Sequence, residues 1–420
     1  MKMTLSGETA HPPFSYRELP SGFTQRLAQS ARMAARWLVE TAQVREPSLT
    51  TERHAGFAYD DWKGAIRGEY RAATRGWSFF CPYWHTGQAV KALLMLEAQD
   101  RRGEWMQAAR LGGDFLLRCR IAEPGHPDFG LPLAFEDIPH AVNTSAILEG
   151  VDGLFHLADA TGQACYEEAA IEALYWVARH AYLDGQGLFH DFYDPGQRRF
   201  IALSEYRPTN RREQPRPLLD DAVFLKGCQR TGEALFSRIY HETAEELLRS
   251  EHPAGNWIAH GPCHAEEDHI HPRHAYWWGG SLFDGWSAFG TSRYREGALR
   301  SADWYARALR RDGGFFRNTS IDFNTDSFHH ATSGSACAAI VFLRASMEAG
   351  EHRYLPLAIR ALTFCMDAQF VKAKDPNLKG AILEKILPPD GSDDSPYHLR
   401  DLGSIFFIQA AALALQRFQA

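Results

Sequence analysis

Apolar residues recur along most of this chain with the spacing of about 3.6 residues that places them on one face of a helix. Segments containing glycine and proline interrupt the pattern and divide it into about twelve helical stretches. We predict helices at residues 22–45, 86–100, 105–120, 144–161, 166–181, 221–231, 235–250, 281–292, 295–310, 332–350, 354–369 and 399–419. The pattern therefore predicts an all-α fold.

A glycine followed closely by apolar residues recurs six times between these helices, at Gly64, Gly130, Gly187, Gly255, Gly314 and Gly380. Successive glycines lie 66, 57, 68, 59 and 66 residues apart. A nearly fixed period is typical of repeat folds, in which each unit buries its apolar face only by packing on its neighbours. Six marks and about twelve helices predict six helical hairpins, the (α/α)6 toroid.

Two kinds of helix alternate in this pattern. Residues 332–350 and 399–419 are apolar on nearly every side, as expected of inner helices, whereas 354–369 keeps a charged face suited to an outer helix. Because an inner helix comes last, it can pack against the first hairpin and close the ring. We predict one toroid domain over residues 1–420, with an N-terminal extension over 1–20 and short β-hairpin loops at the mouth.

Composition narrows the functional classes. Apolar residues make up 45% of the 420 residues and charged residues 23%, which excludes a disordered chain. The net charge of −7, without a basic stripe, argues against a nucleic-acid partner. The N-terminus lacks the apolar core of a signal peptide and no stretch could span a membrane, so we expect a cytoplasmic protein without a membrane partner. The seven cysteines form no CxxC pair, which indicates reduced thiols.

The loops that enter the inner helices lie at one end of such a ring, so their side chains converge on its mouth. These loops are rich in polar and aromatic residues, and aromatic rings stack on sugars. N-capping of the helices explains part of this content. We predict substrate-binding roles for the following residues at the mouth: Trp84, His85, Asn143, His190, Trp277, Trp278, His330, Ser333, His398 and Arg400.

Acid–base catalysis on a glycoside or enol ether requires a carboxyl group that can hold a proton near neutral pH. Asp220 and Asp221, at the entry to an inner helix, fit this requirement best. The alternative is an N-cap followed by a first-turn acid that the helix dipole favours. For the second carboxylate of a pair, Asp137 is our first choice and Asp284 the next.

Histidine, cysteine and acidic residues are densest between His260 and His274. Their spacing matches neither the helix-borne HExxH pattern nor paired CxxC motifs, so we favour a substrate-facing loop over a zinc site. We predict no metal and no cofactor. A sugar or oligosaccharide is the expected partner, and a homodimer is compatible with the sequence.

Three segments resemble the unsaturated glucuronyl and unsaturated rhamnogalacturonyl hydrolases, which are (α/α)6 toroids. Leu219-Asp220-Asp221 looks like their Asp-bearing entry to a central helix, residues 277–286 are similar to their Trp-x-Arg-Gly-x-x-Trp segment, and residues 332–336 look like their Ser-rich helix start. The resemblance implies hydration of a terminal 4,5-unsaturated uronic acid, with Asp221 or Asp220 as general acid and base. It also implies a supporting role for Asp137, sugar stacking by the two tryptophans, and carboxylate binding by Ser333 or Ser335.

Two positions depart from that family's pattern. Gly279 stands where the family has the arginine of its tryptophan segment, and Glu136-Asp137 replaces the family's His-Asp. A second resemblance, carried by residues 143–150 and Tyr276-Trp277-Trp278, is to N-acylglucosamine 2-epimerases. It implies paired histidines as acid and base, and His330, His398 and His274 are the candidates. A polysaccharide lyase and a non-catalytic sugar-binding toroid are the further alternatives.

Overall fold

The structure is a computed structural model that describes residues 19–47, 59–136, 138–206, 214–325, 331–386 and 397–419. Helices dominate these ranges and short strands connect some of them. The α-helices are α1 (Phe23–Trp37), α2 (Pro82–Asp100), α3 (Glu104–Arg118), α4 (Thr144–Thr161), α5 (Ala164–His180), α6 (Val223–Thr231), α7 (Ala234–Ser250), α8 (Leu282–Phe289), α9 (Ser292–Ala308), α10 (Thr332–Met347), α11 (Leu355–Asp367) and α12 (Leu402–Gln419).

Even-numbered helices form an inner ring and odd-numbered helices surround it. In α10 every residue from Thr332 to Leu343 is buried, whereas outer helix α9 buries a single stripe and exposes its charged residues. Helix α12 packs against both α1 and α2, so the last inner helix closes the ring. The predicted (α/α)6 toroid is confirmed.

Inner helices α2 and α4 cross at three glycines. A Cβ atom on Gly87 would lie 2.5 Å from the Cα atom of Gly150, and one on Gly153 would lie 2.3 Å from the carbonyl oxygen of Gly87. Only residues without a side chain allow this close approach of two backbones. The crossing brings the first turns of both helices, which carry side chains toward the mouth, close together.

In the part of the chain that the structure describes, nine short strands, β1 to β9, lie in the loops. Strands β1 (Gly68–Arg71), β2 (Gly76–Phe79), β8 (Lys385–Ile386) and β9 (Tyr397–Arg400) form an antiparallel sheet in the order β2-β1-β9-β8, which joins the first and last repeats. Strands β3 (Val142–Asn143), β6 (Phe192–Asp194) and β7 (Arg199–Ile201) form a second sheet, and β4 (Tyr182–Leu183) pairs with β5 (Leu188–Phe189). These hairpins are the short strands predicted at the mouth.

Several predicted helix boundaries differ from the observed ones; α2, for example, begins at Pro82 and not at residue 86. The first helix leaves the α-helical pattern after Trp37 and continues as a π-helical turn over Leu38–Ala42. Helix α6 begins at Val223 because Asp221 and Ala222 both have left-handed backbone angles, with φ of 49° and 52°. A π-helical segment, Ala275–Gly280, precedes α8. Within the described ranges, no helix is long and apolar enough to cross a membrane.

Candidate active site

A cavity of about 450 Å³ opens at the mouth of the ring, where the chain enters the inner helices. We call it the cleft. Its wall combines acids, arginines and aromatic rings, a mixture suited to a polar ligand with an anionic group. The charged, histidine and tryptophan side chains in the wall are Glu136, Glu149, Asp191, Asp220, Arg216, Arg273, Arg317, Arg400, His190, His271, Trp84, Trp277 and Trp278.

Asp220 reaches the cleft from the turn that precedes α6. The residue is 2% exposed, and its Oδ2 atom is buried without a hydrogen-bonding partner in the described part of the chain. Burial raises the pKa of Asp220 to about 8, with Arg216 acting in the opposite direction and the Asp221 carboxylate adding to the rise. Asp220 is therefore largely protonated at neutral pH, as a general acid must be.

Glu149 lies on α4 and lines the same cleft. It is buried, and its Oε2 atom has no hydrogen-bonding partner among the described residues. Burial and the charge of Asp220 raise the pKa of Glu149 well above its usual range, while Arg273 opposes the shift. Two buried carboxyl groups that face one cavity cannot easily both ionise, so their titrations are linked.

Asp191 and Arg216 form an ion pair in the wall beside Asp220. An Arg216 Nη2 atom donates to Asp191 Oδ1 at 2.7 Å, and Nη1 donates to the carbonyl oxygen of Gly261 at 3.0 Å. Asn143 caps α4 through the amide of Ala146 and donates its own Nδ2 to Asp191 at 3.1 Å. The pair is therefore held rigidly, which fixes one positive charge next to the proton-bearing carboxyl.

Arg273 places a buried guanidinium in the wall of the cleft. Its guanidinium lies 5.0 Å from the ring centroid of Trp277 and 5.8 Å from that of Trp84. The residue is 6% exposed, and its Nε and Nη1 atoms have no hydrogen-bonding partner in the described ranges. The indole nitrogens of Trp84, Trp277 and Trp278 are also buried and also have no hydrogen-bonding partner among the described residues. Buried donors without acceptors are costly, so this wall offers several donors to any acceptor that enters the cleft.

The residues predicted to bind substrate divide into two groups. Six line the cleft: Trp84, Asn143, His190, Trp277, Trp278 and Arg400. His85 instead contacts Asp401, and the Ser333 hydroxyl donates to Glu384 at 2.6 Å, so both side chains are occupied within the protein. Asp137 and His330 lie outside the described residues, as does the side chain of His398.

Asp220 and Asp221 point to opposite ends of the ring. The Asp221 carboxylate accepts hydrogen bonds of 2.6 Å from Gln88 and Lys91 and lines a second cavity of about 190 Å³. Asp284 lines that second cavity as well and pairs with Arg344 at 2.9 Å. Of the two predicted acids, Asp220 lines the cleft at the mouth and Asp221 does not, because the left-handed turn separates the two carboxyl groups.

Sequence reasoning missed Glu149, Asp191, Arg216 and Arg273 as site residues. The available signal for Glu149 was an acid near the start of a largely apolar inner helix that also carries Asp152. Arg273 lies in the segment His260–His274, which was weighed as a metal site. Among the described residues, no group of three His, Cys, Asp or Glu side chains is placed to hold a metal ion. Burial lowers the pKa of His274 well below its usual range, and its ring stacks on Trp278 at 4.2 Å.

No protein-family model matches the sequence, and no curated protein matches it by sequence. Solved structures do match the fold. An unsaturated glucuronyl hydrolase specific for heparin superposes with a TM-score of 0.67 at 12% identity, covering 94% of this chain and 98% of that one. Cellobiose 2-epimerase from Spirochaeta thermophila superposes with a TM-score of 0.65 at 14% identity, with coverages of 95% and 99%.

A D-mannose isomerase superposes equally well, with a TM-score of 0.66 at 10% identity and coverages of 95% and 100%. The hydrolase and epimerase resemblances found in the sequence are therefore confirmed at the level of the fold. At these identities the similarity shows the toroid fold and identifies no reaction, because one fold can carry many different active sites.

Proposed function

We propose that this protein is a carbohydrate-processing enzyme, a glycoside hydrolase that acts on uronic-acid-containing oligosaccharides with Asp220 as general acid. One observation carries the proposal: a buried carboxyl with a pKa of about 8 faces a cleft of saccharide size. General acids work best when their pKa lies near the working pH, and this one is protonated where an unperturbed aspartate is not.

The proposed reaction on a terminal 4,5-unsaturated uronic acid is a hydration. Asp220 donates its proton to C4, and positive charge develops at C5 and the ring oxygen. Water then adds to C5 while the ionised Asp220 accepts a proton from it, which restores the acid. The resulting hemiketal opens, and the glycosidic carbon becomes a hemiacetal that releases the remaining saccharide. Glu149 lines the same cleft, and the charge of the ionised Asp220 favours the protonated form of Glu149.

Arg273 supports the choice of a uronate. Its guanidinium is buried between Trp84 and Trp277, and two of its nitrogens lack acceptors. A carboxylate would supply charge-assisted hydrogen bonds there, while the tryptophan faces suit a sugar ring. Gly279 replaces the arginine expected from the hydrolase resemblance, and Arg273 provides a guanidinium in the same wall from an earlier position.

The test follows the ultraviolet absorbance of unsaturated uronyl disaccharides incubated with the purified protein. We expect the absorbance to fall with the wild type and to persist with Asp220→Asn. Asp284→Asn is the matched control, since this inner-helix acid faces the opposite end of the ring. Full activity in Asp220→Asn would refute the assigned role, and a rise in absorbance would identify a lyase instead.

A sugar epimerase or isomerase is the second candidate, and one observation favours it. His190 and His271 both line the cleft, and burial lowers the pKa of His190, so this imidazole is neutral and able to accept a proton. Such chemistry exchanges the hydrogen at C2 of an aldose with solvent. Deuterium uptake into mannose or cellobiose that His190→Ala abolishes, without any change in uronyl absorbance, would favour this candidate over the hydrolase.

A further inference from the structure

The turn that carries Asp220 is strained. Asp221 and Ala222 occupy the left-handed region in succession, with φ of 49° and 52°, and neither is a glycine. Residues with a Cβ atom avoid this conformation unless surrounding contacts hold them in it. The same two residues send the Asp220 side chain to the cleft and the Asp221 side chain to the second cavity. The contacts of Asp221 therefore decide where Asp220 points.

Helix α2 supplies the two shortest of those contacts, and the Tyr276 hydroxyl donates to Asp221 Oδ1 over a longer distance of 3.5 Å. Lys91 Nζ lies 2.6 Å from Asp221 Oδ1, and Gln88 Nε2 lies 2.6 Å from Asp221 Oδ2. Gln88 Nε2 also donates to the carbonyl oxygen of Glu149 at 2.9 Å, which ties the turn to α4. Lys91 is anchored in turn by Asp152 at 2.9 Å. The side chains of Gln88, Lys91 and Asp221 do not line the cleft.

We propose that Lys91 is a positioning residue for Asp220: by holding Asp221 in the second cavity, it keeps the left-handed turn in place and the Asp220 carboxyl in the cleft. The inference rests on the proposed function in assigning the proton to Asp220. Lys91 itself touches no ligand in the cleft, because its ammonium group lies in the cavity at the other end of the ring.

The pKa of Asp220 depends on its burial and on the charges around it, so the pKa reports whether the carboxyl lies in the cleft. Arg216 stabilises its ionised form, while Asp191 and Asp221 disfavour it. Glu149 faces it across the cleft and is itself opposed by Arg273. Burial is the largest cause of the shift. If the turn relaxes and the carboxyl reaches water, the pKa of Asp220 falls toward its usual range.

Lys226 provides a matched control. Its Nζ atom lies 2.5 Å from Asp152 Oδ1, so it pairs with the same buried acid as Lys91 and lines the same cavity. Within the described residues, its ion pair is with Asp152 and not with Asp221. Lys226→Met thus removes an equal charge from the network without removing a contact to the strained turn.

The experiment titrates Asp220 by infrared difference spectroscopy, with Asp220→Asn to identify its band, and it requires no substrate. In Lys91→Met we expect the midpoint to fall by about one pH unit or more, and in Lys226→Met by much less. Lys91→Arg, which keeps the positive charge, should retain the wild-type midpoint of the Asp220 titration. An unchanged or raised midpoint in Lys91→Met, or an equal fall in Lys226→Met, would overturn the proposal. If circular dichroism shows Lys91→Met to be unfolded, Lys91→Gln replaces it with the same expectations.

Measurements of turnover distinguish the positioning role of Lys91 from the proposed hydrolase function. If the protein hydrates unsaturated uronyl disaccharides, Lys91→Met should lower kcat by about 10- to 100-fold and leave KM nearly unchanged, since misplacing a catalytic group by an ångström has effects of that size. If the wild type turns over no uronyl saccharide, the proposed function fails, while the infrared comparison of the two lysine variants still decides the role of Lys91.

Discussion

His85 and Asp401 join the first and last inner helices across the closure of the ring. The Nδ1 atom of His85 lies 2.5 Å from Asp401 Oδ1, and both side chains are completely buried. His85 belongs to the first turn of α2, and Asp401 immediately precedes α12. The contact thus ties together two segments more than three hundred residues apart in the sequence.

Asp401→Ala should destabilise the fold by about 1–3 kcal/mol, because it leaves the buried His85 imidazole without its acceptor. Urea unfolding monitored by circular dichroism measures the change. Arg26→Ala is the control: Arg26 pairs with Asp367 at the surface, with side-chain exposures of 49% and 62%. Exposed pairs contribute about 0–1 kcal/mol. Equal losses in the two variants would show that His85 and Asp401 do not stabilise the closure.

Gly87→Ala should destabilise the crossing of α2 and α4 by about 1–3 kcal/mol, since the new methyl group would meet backbone atoms of Gly150. The gain in helix propensity offsets at most about 1 kcal/mol of this loss. Gly280→Ala serves as the comparison, because its Cβ would lie 3.6 Å from the nearest atom, an ordinary contact. A melting temperature that falls equally in both variants would contradict this account.

The fold was predictable because its signals repeat. Each hairpin carries the same helical periodicity and the same glycine mark, so an error in one repeat does not change the count. Local boundaries were less accessible. The left-handed pair Asp221-Ala222 contains no glycine, and long-range contacts from Gln88 and Lys91 hold it in place. Nothing within the segment itself predicts that turn.

Asp220→Asn should stabilise the protein increasingly as the pH rises. The pKa of Asp220 is about 8 in the folded state and near 4 when unfolded, so the unfolded chain releases this proton first. Stability therefore falls between about pH 4 and pH 8 in the wild type, and asparagine removes this dependence. The difference should reach up to about 4 kcal/mol at pH 7 in urea unfolding. A difference that does not change with pH would contradict the raised pKa.

The pH dependence of turnover should have an alkaline limb set by the same carboxyl. If protonated Asp220 is the acid in the free enzyme, kcat/KM for a uronyl disaccharide falls above about pH 8, approaching tenfold per unit. Asp284→Asn should keep this limb in place. A profile that remains level to about pH 10 would remove Asp220 from the role of general acid.

Arg273→Met should weaken the binding of a saccharide that carries a carboxylate, with an expected rise in Kd of about 10- to 100-fold for the loss of a charge-assisted contact. The matched ligand is the same saccharide with its carboxyl reduced to an alcohol, whose affinity should change much less. Isothermal titration calorimetry on both ligands separates the two effects. An equal loss for both would assign Arg273 to packing against Trp277.

The candidate site was predictable in place and only partly in composition. Helix entries converge on one mouth in any such ring, so Trp84, Asn143 and Trp277 were found from their positions alone. The exchange of Asp221 for Asp220 depends on a side-chain direction that no periodicity encodes. Glu149 lies inside a mostly buried helix that also carries the buried Asp152, and only the cavity next to it shows that Glu149 lines the cleft.

The closure by α12 also constrains when the cleft can form. Gln409 on α12 donates to Gln88 on α2, and Arg400, which lines the cleft just before α12, pairs with Glu69 in β1, so early and late parts of the chain meet at the closure of the ring. During synthesis, more than three hundred residues are added after the start of α2 before α12 emerges from the ribosome and can pack against it. The face of α2 that α12 covers in the folded protein therefore lacks its partner throughout that interval, which leaves apolar surface of the nascent chain uncovered.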